Sequence, residues 1–259
     1  LNLFNIQTFN YILQNSYQMS SSPKDLVNEV KYAVRARLIL RWAIVSKHTK
    51  YTKHLFNEID TGIQKNLKAL LYIPNGDAGR TACVSAGALP VLVALMSSSK
   101  DKEAELAAGA LANIVSGSCV RKMACVYAGA VPALVRLLSS KKGNEAEWAA
   151  GALGTIAWSD NEVKMPRVSA NHVPALVKLL SSSKGAEAEE AVRALGNITK
   201  GDAECMLACL EAGAVPELVK MLSSRKNWKA QYAKEVLTNI AKHSPEYRQL
   251  VIDAGFNPS

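Results

Sequence analysis

Several things are missing from this sequence, and each absence narrows what the chain can be. Its five cysteines, Cys83, Cys119, Cys125, Cys205 and Cys209, are too few and too oddly numbered for the disulfide framework of a small secreted domain. A reducing compartment, cytoplasm or nucleus, is expected instead. No apolar run reaches the length of a membrane span: the most apolar stretch, residues 38–45, is short and is interrupted by Arg41. No charged segment followed by a short apolar run and a small-residue cleavage site is present, so no secretory leader is expected. There is no Gly-rich phosphate loop, no His-Glu-x-x-His and no calcium loop, and the four histidines, His48, His54, His172 and His243, are scattered. The reading is therefore of a chain without catalytic residues, metal or cofactor. Residues 1–22 contain no charged side chain, and the sequence opens on Leu1 rather than methionine. Because Met19 precedes Ser-Ser-Ser-Pro, residues 1–18 are expected to be a reading-frame extension or the tail of a longer protein, and residues 1–22 to be disordered.

What is present is a period. The segments beginning at Ala86, Ala128, Ala170 and Ala212 are spaced by 42 residues, and Ala254 opens a fifth. Pro90, Pro132, Pro174, Pro216 and Pro258 keep that register without insertion. Each unit can be read as three helices. Gly87, Gly129, Gly213 and Gly255, with Asn171 in the third unit, suit the left-handed residue that ends a helix. The proline two or three residues on suits the first turn of the next, where its missing N–H has no partner to lose. A run such as Val131, Leu134, Val135, Leu137 and Leu138 follows at helical spacing. A third helix then starts near Glu103, Glu145 and Glu187, whose charge complements a helix N-terminus. Lys100, Lys142, Lys184 and Lys226 close the preceding helices by the same logic. Such helices cannot bury their apolar faces alone, so units must stack. Cys83, Cys125 and Cys209 occupy one repeat position, which places them a repeat apart rather than around an ion; they read as small buried packing.

The segment Gly-Ala-x-Pro-x-Leu-Val-x-Leu-Leu, followed by a helix ending Ala-Leu-x-Asn-Ile, resembles the armadillo repeat family from about Ala78 to the C-terminus. The resemblance implies an all-α fold, a right-handed α-solenoid of three-helix repeats with an N-terminal helical cap. The expected boundaries are an uncharged segment at 1–22, a cap with a degenerate repeat at 23–75, repeats at 76–117, 118–159, 160–201 and 202–243, and the start of a fifth at 244–259. A fifth unit that stops after Pro258 is expected to leave Val251, Ile252, Ala254 and Phe256 as an uncovered edge for packing.

The resemblance also implies a binding role. In armadillo proteins the third helices line a concave groove in which asparagines hold an extended peptide backbone; here these are Asn113, Asn197 and Asn239, with Thr155 in the second unit. An asparagine side chain both donates and accepts, so it can grip a peptide unit without reading its side chain. Helical spacing puts Trp148, Trp158, Arg193, Lys200, Tyr232 and Lys242 on the same face, where they vary between units. An alternative is that the asparagines only cap or bridge neighbouring helices. On the groove reading, replacing Asn197 and Asn239 by alanine weakens partner binding without lowering stability. Nuclear-import receptors for basic signals pair the asparagine with a tryptophan four residues earlier; Gly109, Gly151, Arg193 and Glu235 stand there instead, which disfavours that role.

Net charge adds a second candidate surface. Residues 1–75 carry a balance of +6 and the rest of the chain only +3. Arg35, Arg37, Arg41, Lys47 and Lys50 fall in one acid-free stretch of the cap, suited to an acidic partner or, less so, nucleic acid. The leading expectation is a non-catalytic scaffold or adaptor for another protein's extended segment. The alternatives are nucleic-acid or acidic-surface binding through the cap, and the substrate-recognition region of a larger multidomain protein such as a ubiquitin ligase.

Overall fold

The computed structural model describes residues 22–43, 50–71, 76–97, 101–140, 144–157, 170–182, 185–223 and 227–258, with the side chains of 35–43, 50–59, 170 and 227 excepted. Among these residues the regular secondary structure is all helical. The chain divides into two compact units, residues 1–117 and 118–259.

The first unit holds α1 (Pro23–Ala43), α2 (Lys50–Leu71), α3 (Gly76–Ser85), α4 (Ala88–Met96) and α5 (Asp101–Val115). Leu26, Val27, Val30 and Ala33 give α1 one buried stripe, and Ile63, Leu67 and Leu70 do the same for α2. α1 lies against α2, α3 and α4, while α2 packs along α5. Two polar contacts fix this cap. Asn66 Nδ2 donates to Glu29 Oε2 at 2.8 Å, and Lys31 Nζ donates to the Ala86 carbonyl at the end of α3. Burial pushes the Glu29 carboxyl above its ordinary range, and the Asn66 bond partly offsets the shift.

The second unit holds α6 (Cys119–Tyr127), α7 (Ala130–Leu138), α8 (Glu145–Ala157), α9 (Val173–Leu180), α10 (Gly185–Ile198), α11 (Ala203–Glu211), α12 (Ala214–Leu222), α13 (Asn227–His243) and α14 (Pro245–Asp253). Here α7, α9 and α12 each pack on the longer helix that follows, and α10 is held between α8 and α13. Those long helices bury alanines and leucines, among them Ala149, Ala152, Leu153, Ala191, Ala194 and Leu195, all fully enclosed. Small residues let the axes come close: a Cβ placed on Gly154 of α8 would stand 3.1 Å from the Ala194 Cα of α10.

The elbow between helices follows the glycine reading. At Gly213, φ is 72° and its N–H bonds the Leu210 carbonyl at 3.0 Å, and Gly129 turns the same way at φ 79°. Only glycine adopts positive φ among the described residues, so the left-handed turn expected at Asn171 does not form. Ala170–His172 winds instead into a 3₁₀ turn. A Cβ in the left-handed region costs about 1–2 kcal/mol, and tightening the turn avoids that cost.

Helix starts are capped where the sequence offers an oxygen. Ser118 Oγ accepts from the Arg121 N–H, Asp202 Oδ1 from that of Cys205 at 3.1 Å, and Ser244 Oγ from that of Tyr247 at 3.2 Å. Replacing Asp202 by alanine should therefore cost about 1 kcal/mol of stability, measurable by urea unfolding, with asparagine restoring most of it.

The C-terminal edge is less open than the repeat count suggests. Val251 and Phe256 are buried. After Gly255 the chain turns back, so that the Phe256 N–H bonds the Val251 carbonyl at 3.1 Å and Arg248 Nη2 reaches the Pro258 carbonyl at 3.0 Å. Leu250 and Ile252 remain exposed.

Candidate functional site

The successive long helices carry the residues that sequence places on a common face. In the first unit Asn113 of α5 donates from Nδ2 to the Leu71 carbonyl, at the last residue of α2, at 2.6 Å. In the second, Asn197 of α10 donates to the Gly154 carbonyl of α8 at 2.8 Å, and Asn239 of α13 donates to Thr199 Oγ1 at 3.3 Å. Thr199 is fully buried and itself donates to the Leu195 carbonyl at 2.8 Å. Asn113 and Asn197 thus reach from their own helices to the long helix one repeat earlier, and Asn239 reaches the residue just past the end of α10. No described residue donates to the three Oδ1 atoms, which leaves an acceptor on each side chain. The expectation that alanine there spares stability is corrected by these bonds: each carboxamide holds two helices together.

Thr155 behaves differently. Its hydroxyl bonds back to the Gly151 carbonyl of its own helix at 2.9 Å. The same carbonyl accepts from Arg193 Nη2 at 3.0 Å, and Arg193 also pairs with Glu190 at 2.6 Å. Gly151 makes room for this arrangement, since a Cβ there would sit 3.1 Å from Glu190 Oε2. Arg193 is therefore a bracket between α8 and α10 with its charge already matched.

On α13 the equivalent stretch carries Tyr232 and Glu235. Over Gly196 of α10 lie both Tyr232 Cδ1 and Glu235 Oε2, within 3.3 and 3.8 Å of where a Cβ would be. The Tyr232 ring meets that of Trp228 edge to face, with centroids 6.4 Å apart. No described residue pairs with the Glu235 carboxylate. Lys200, just beyond the end of α10, and Lys242, in the last turn of α13, are exposed, and Trp148 on α8 is half-buried. Trp158, Arg35, Arg37, Arg41, Lys47 and Lys50 lie outside the residues whose side chains are described. Lys31, from the same acid-free stretch, is spent on the Ala86 carbonyl.

Contacts across α8, α10 and α13 run in the same direction but not in the same register: Gly151 meets Arg193 and Gly154 meets Asn197 between α8 and α10, whereas between α10 and α13 Gly196 meets Tyr232 and Glu235, and Thr199 meets Asn239, a shift of a few residues. The three helices run parallel, and the asparagine positions form a row across them. The sequence model of the armadillo/beta-catenin-like repeat matches residues 76–116. A designed armadillo repeat protein solved with the peptide (KR)4 is 30% identical, with a TM-score of 0.67 over 76% of this chain and 82% of that one. This chain belongs to the armadillo repeat family.

Other solved structures agree. An engineered protein is 37% identical with a TM-score of 0.70, over 75% of this chain and 79% of that one. A computationally designed armadillo repeat protein for modular peptide recognition is 29% identical with a TM-score of 0.68, over 77% and 82%. No curated protein matches the chain. The fold is thus an all-α solenoid of armadillo repeats, a family of binding scaffolds.

Three features of this armadillo protein escape a reading by repeat position. Trp228 lies four residues before Tyr232, a helical spacing that would have found it. Glu103, Glu145 and Glu187 are buried rather than solvated at their helix starts, with Ser182 Oγ donating to Glu187 at 2.5 Å. Arg80 reaches the Ser116 carbonyl beyond the end of α5 at 3.4 Å; 42 residues on, Lys122 is almost wholly buried.

Proposed function

We propose that this armadillo protein is a non-catalytic scaffold or adaptor, and that an extended segment of another protein lies across α8, α10 and α13. The observation that carries the reading is the row of carboxamides at Asn197 and Asn239, each fixed through Nδ2 to the repeat before it, at Gly154 and Thr199, with its Oδ1 unused by any described residue. A fixed acceptor is suited to a ligand's backbone N–H, and rigid placement lowers the entropy lost on binding. A designed relative solved with a (KR)4 peptide, and another designed for modular peptide recognition, support the same use of the face.

The test is the pair Asn197→Ala and Asn239→Ala. Each loss of an interhelical hydrogen bond should lower stability by about 1 kcal/mol, and the double variant should also lose partner binding at temperatures where it remains folded. Circular dichroism establishes the folded fraction; affinity capture with wild type and double variant measures the binding. An undiminished yield from the folded double variant would overturn the groove reading.

A further inference from the structure

The asparagine row divides the face into two flanks of unlike chemistry. On the N-terminal side of α13 lie Trp228, Tyr232 and Glu235; on α10 the corresponding side holds Glu190 and Arg193, already paired with each other. On the C-terminal side lie the exposed ammonium groups of Lys200 and Lys242. Glu235 and Lys242 are seven residues apart, or about 10 Å along the helix, one on either side of Asn239. An extended chain alternates its side chains with a period of two, so consecutive residues of a ligand seated on the row point to opposite flanks.

Resting on the groove reading above, we propose that the occupant is a peptide of alternating charge, in which a lysine or arginine seats against Trp228, Tyr232 and Glu235 while its neighbours are acidic and face Lys200 and Lys242. The N-terminal flank supplies two things a cation favours: an aromatic pair with one ring 40% exposed, and a carboxylate with no ion-pair partner among the described residues. Arg193 does not oppose that seat, because Glu190 and the Gly151 carbonyl hold its guanidinium. The C-terminal flank carries only positive charge at the two rows, so an all-basic ligand would be repelled there and an all-acidic one would meet Glu235.

Fluorescence anisotropy on the full chain, with labelled octapeptides (KE)4, (KR)4 and (DE)4 at low ionic strength, tests this. (KE)4 should bind tightest. Glu235→Gln and Trp228→Leu should each weaken it about three- to tenfold, as expected for a charge pair or cation–π contact at a partly exposed site. Lys242→Gln should weaken (KE)4 while relieving the discrimination against (KR)4. A preference for (DE)4, a preference for (KR)4, or no binding by any peptide overturns the proposal. Equal affinity for all three peptides, lost in the Asn197→Ala, Asn239→Ala variant, overturns the charge pattern and leaves the groove standing. Charge-ordered binding that ignores the asparagine pair overturns the groove reading itself.

Discussion

Leucine at Gly154 should lower the stability of the second unit by about 3 kcal/mol, at the upper end of what overpacking a core costs. The first added atom already meets backbone: a Cβ would lie 3.1 Å from the Ala194 Cα, 3.3 Å from its Cβ and 3.4 Å from its nitrogen. Backbone within a packed helix cannot rotate away, so α8 and α10 must separate. Separation stretches the Asn197 bond to the Gly154 carbonyl and the Arg193 bond to the Gly151 carbonyl together. Alanine at the same position sets about 1 kcal/mol of better helix propensity against that strain and should cost less. Gly196 provides the contrast. There the nearest atom is Cδ1 of the Tyr232 ring, at 3.3 Å, and a half-exposed side chain can yield, so Gly196→Ala should be close to neutral. Urea unfolding of the three variants ranks them, and a Gly154→Leu protein as stable as wild type would mean the helices are not held this closely.

The repeat itself was open to sequence reading because it is written in backbone chemistry. Glycine at a left-handed turn and proline just inside the following helix are demands of φ and of a missing N–H, and they recur at Gly129 and Pro132, Gly213 and Pro216 whatever the neighbours are. The positions of the candidate site were equally legible, since Asn197 and Asn239 stand at fixed distances from those prolines. Their state was not. The partner of Asn197 is 43 residues away and that of Asn239 is 40 away; a shift of a few residues between successive helices decides which oxygen each carboxamide meets. Arg193 could be placed on the asparagine face by spacing but not paired, because Gly151, a repeat away, becomes its neighbour only through packing. The same limit hid the burial of Glu103 and Glu187, which sit where a helix dipole favours acid on an exposed helix just as well as on an enclosed one. Asn171 failed for a local reason, as its Cβ made a 3₁₀ turn cheaper than the left-handed one.

Alkaline conditions should destabilise the second unit through its thiols. Burial pushes Cys125 and Cys209 from an ordinary value of 9.0 up to about 12, and Cys205 beside Cys209 acts in the same direction. Below pH 9 the thiols are protonated in the folded and unfolded chain alike, and their packing contributes in full. Above it the unfolded chain releases protons that the folded chain retains, so stability falls with pH until the folded thiols also ionise near 12. Each thiol contributes about 1.4 kcal/mol per pH unit in that window, so the two together should remove on the order of 4 kcal/mol by pH 10.5. Tyrosine and lysine titrate over the same range, and a Cys125→Ala, Cys209→Ala variant subtracts their effect. Its stability, followed by urea unfolding at intervals from pH 8 to 10.5, should decline less steeply than that of wild type even though it starts lower. Parallel declines would place these thiols in contact with water, which is incompatible with repeats stacked over Cys125 and Cys209. A steeper wild-type decline assigns them to packing, as neutral sulfur enclosed between helices.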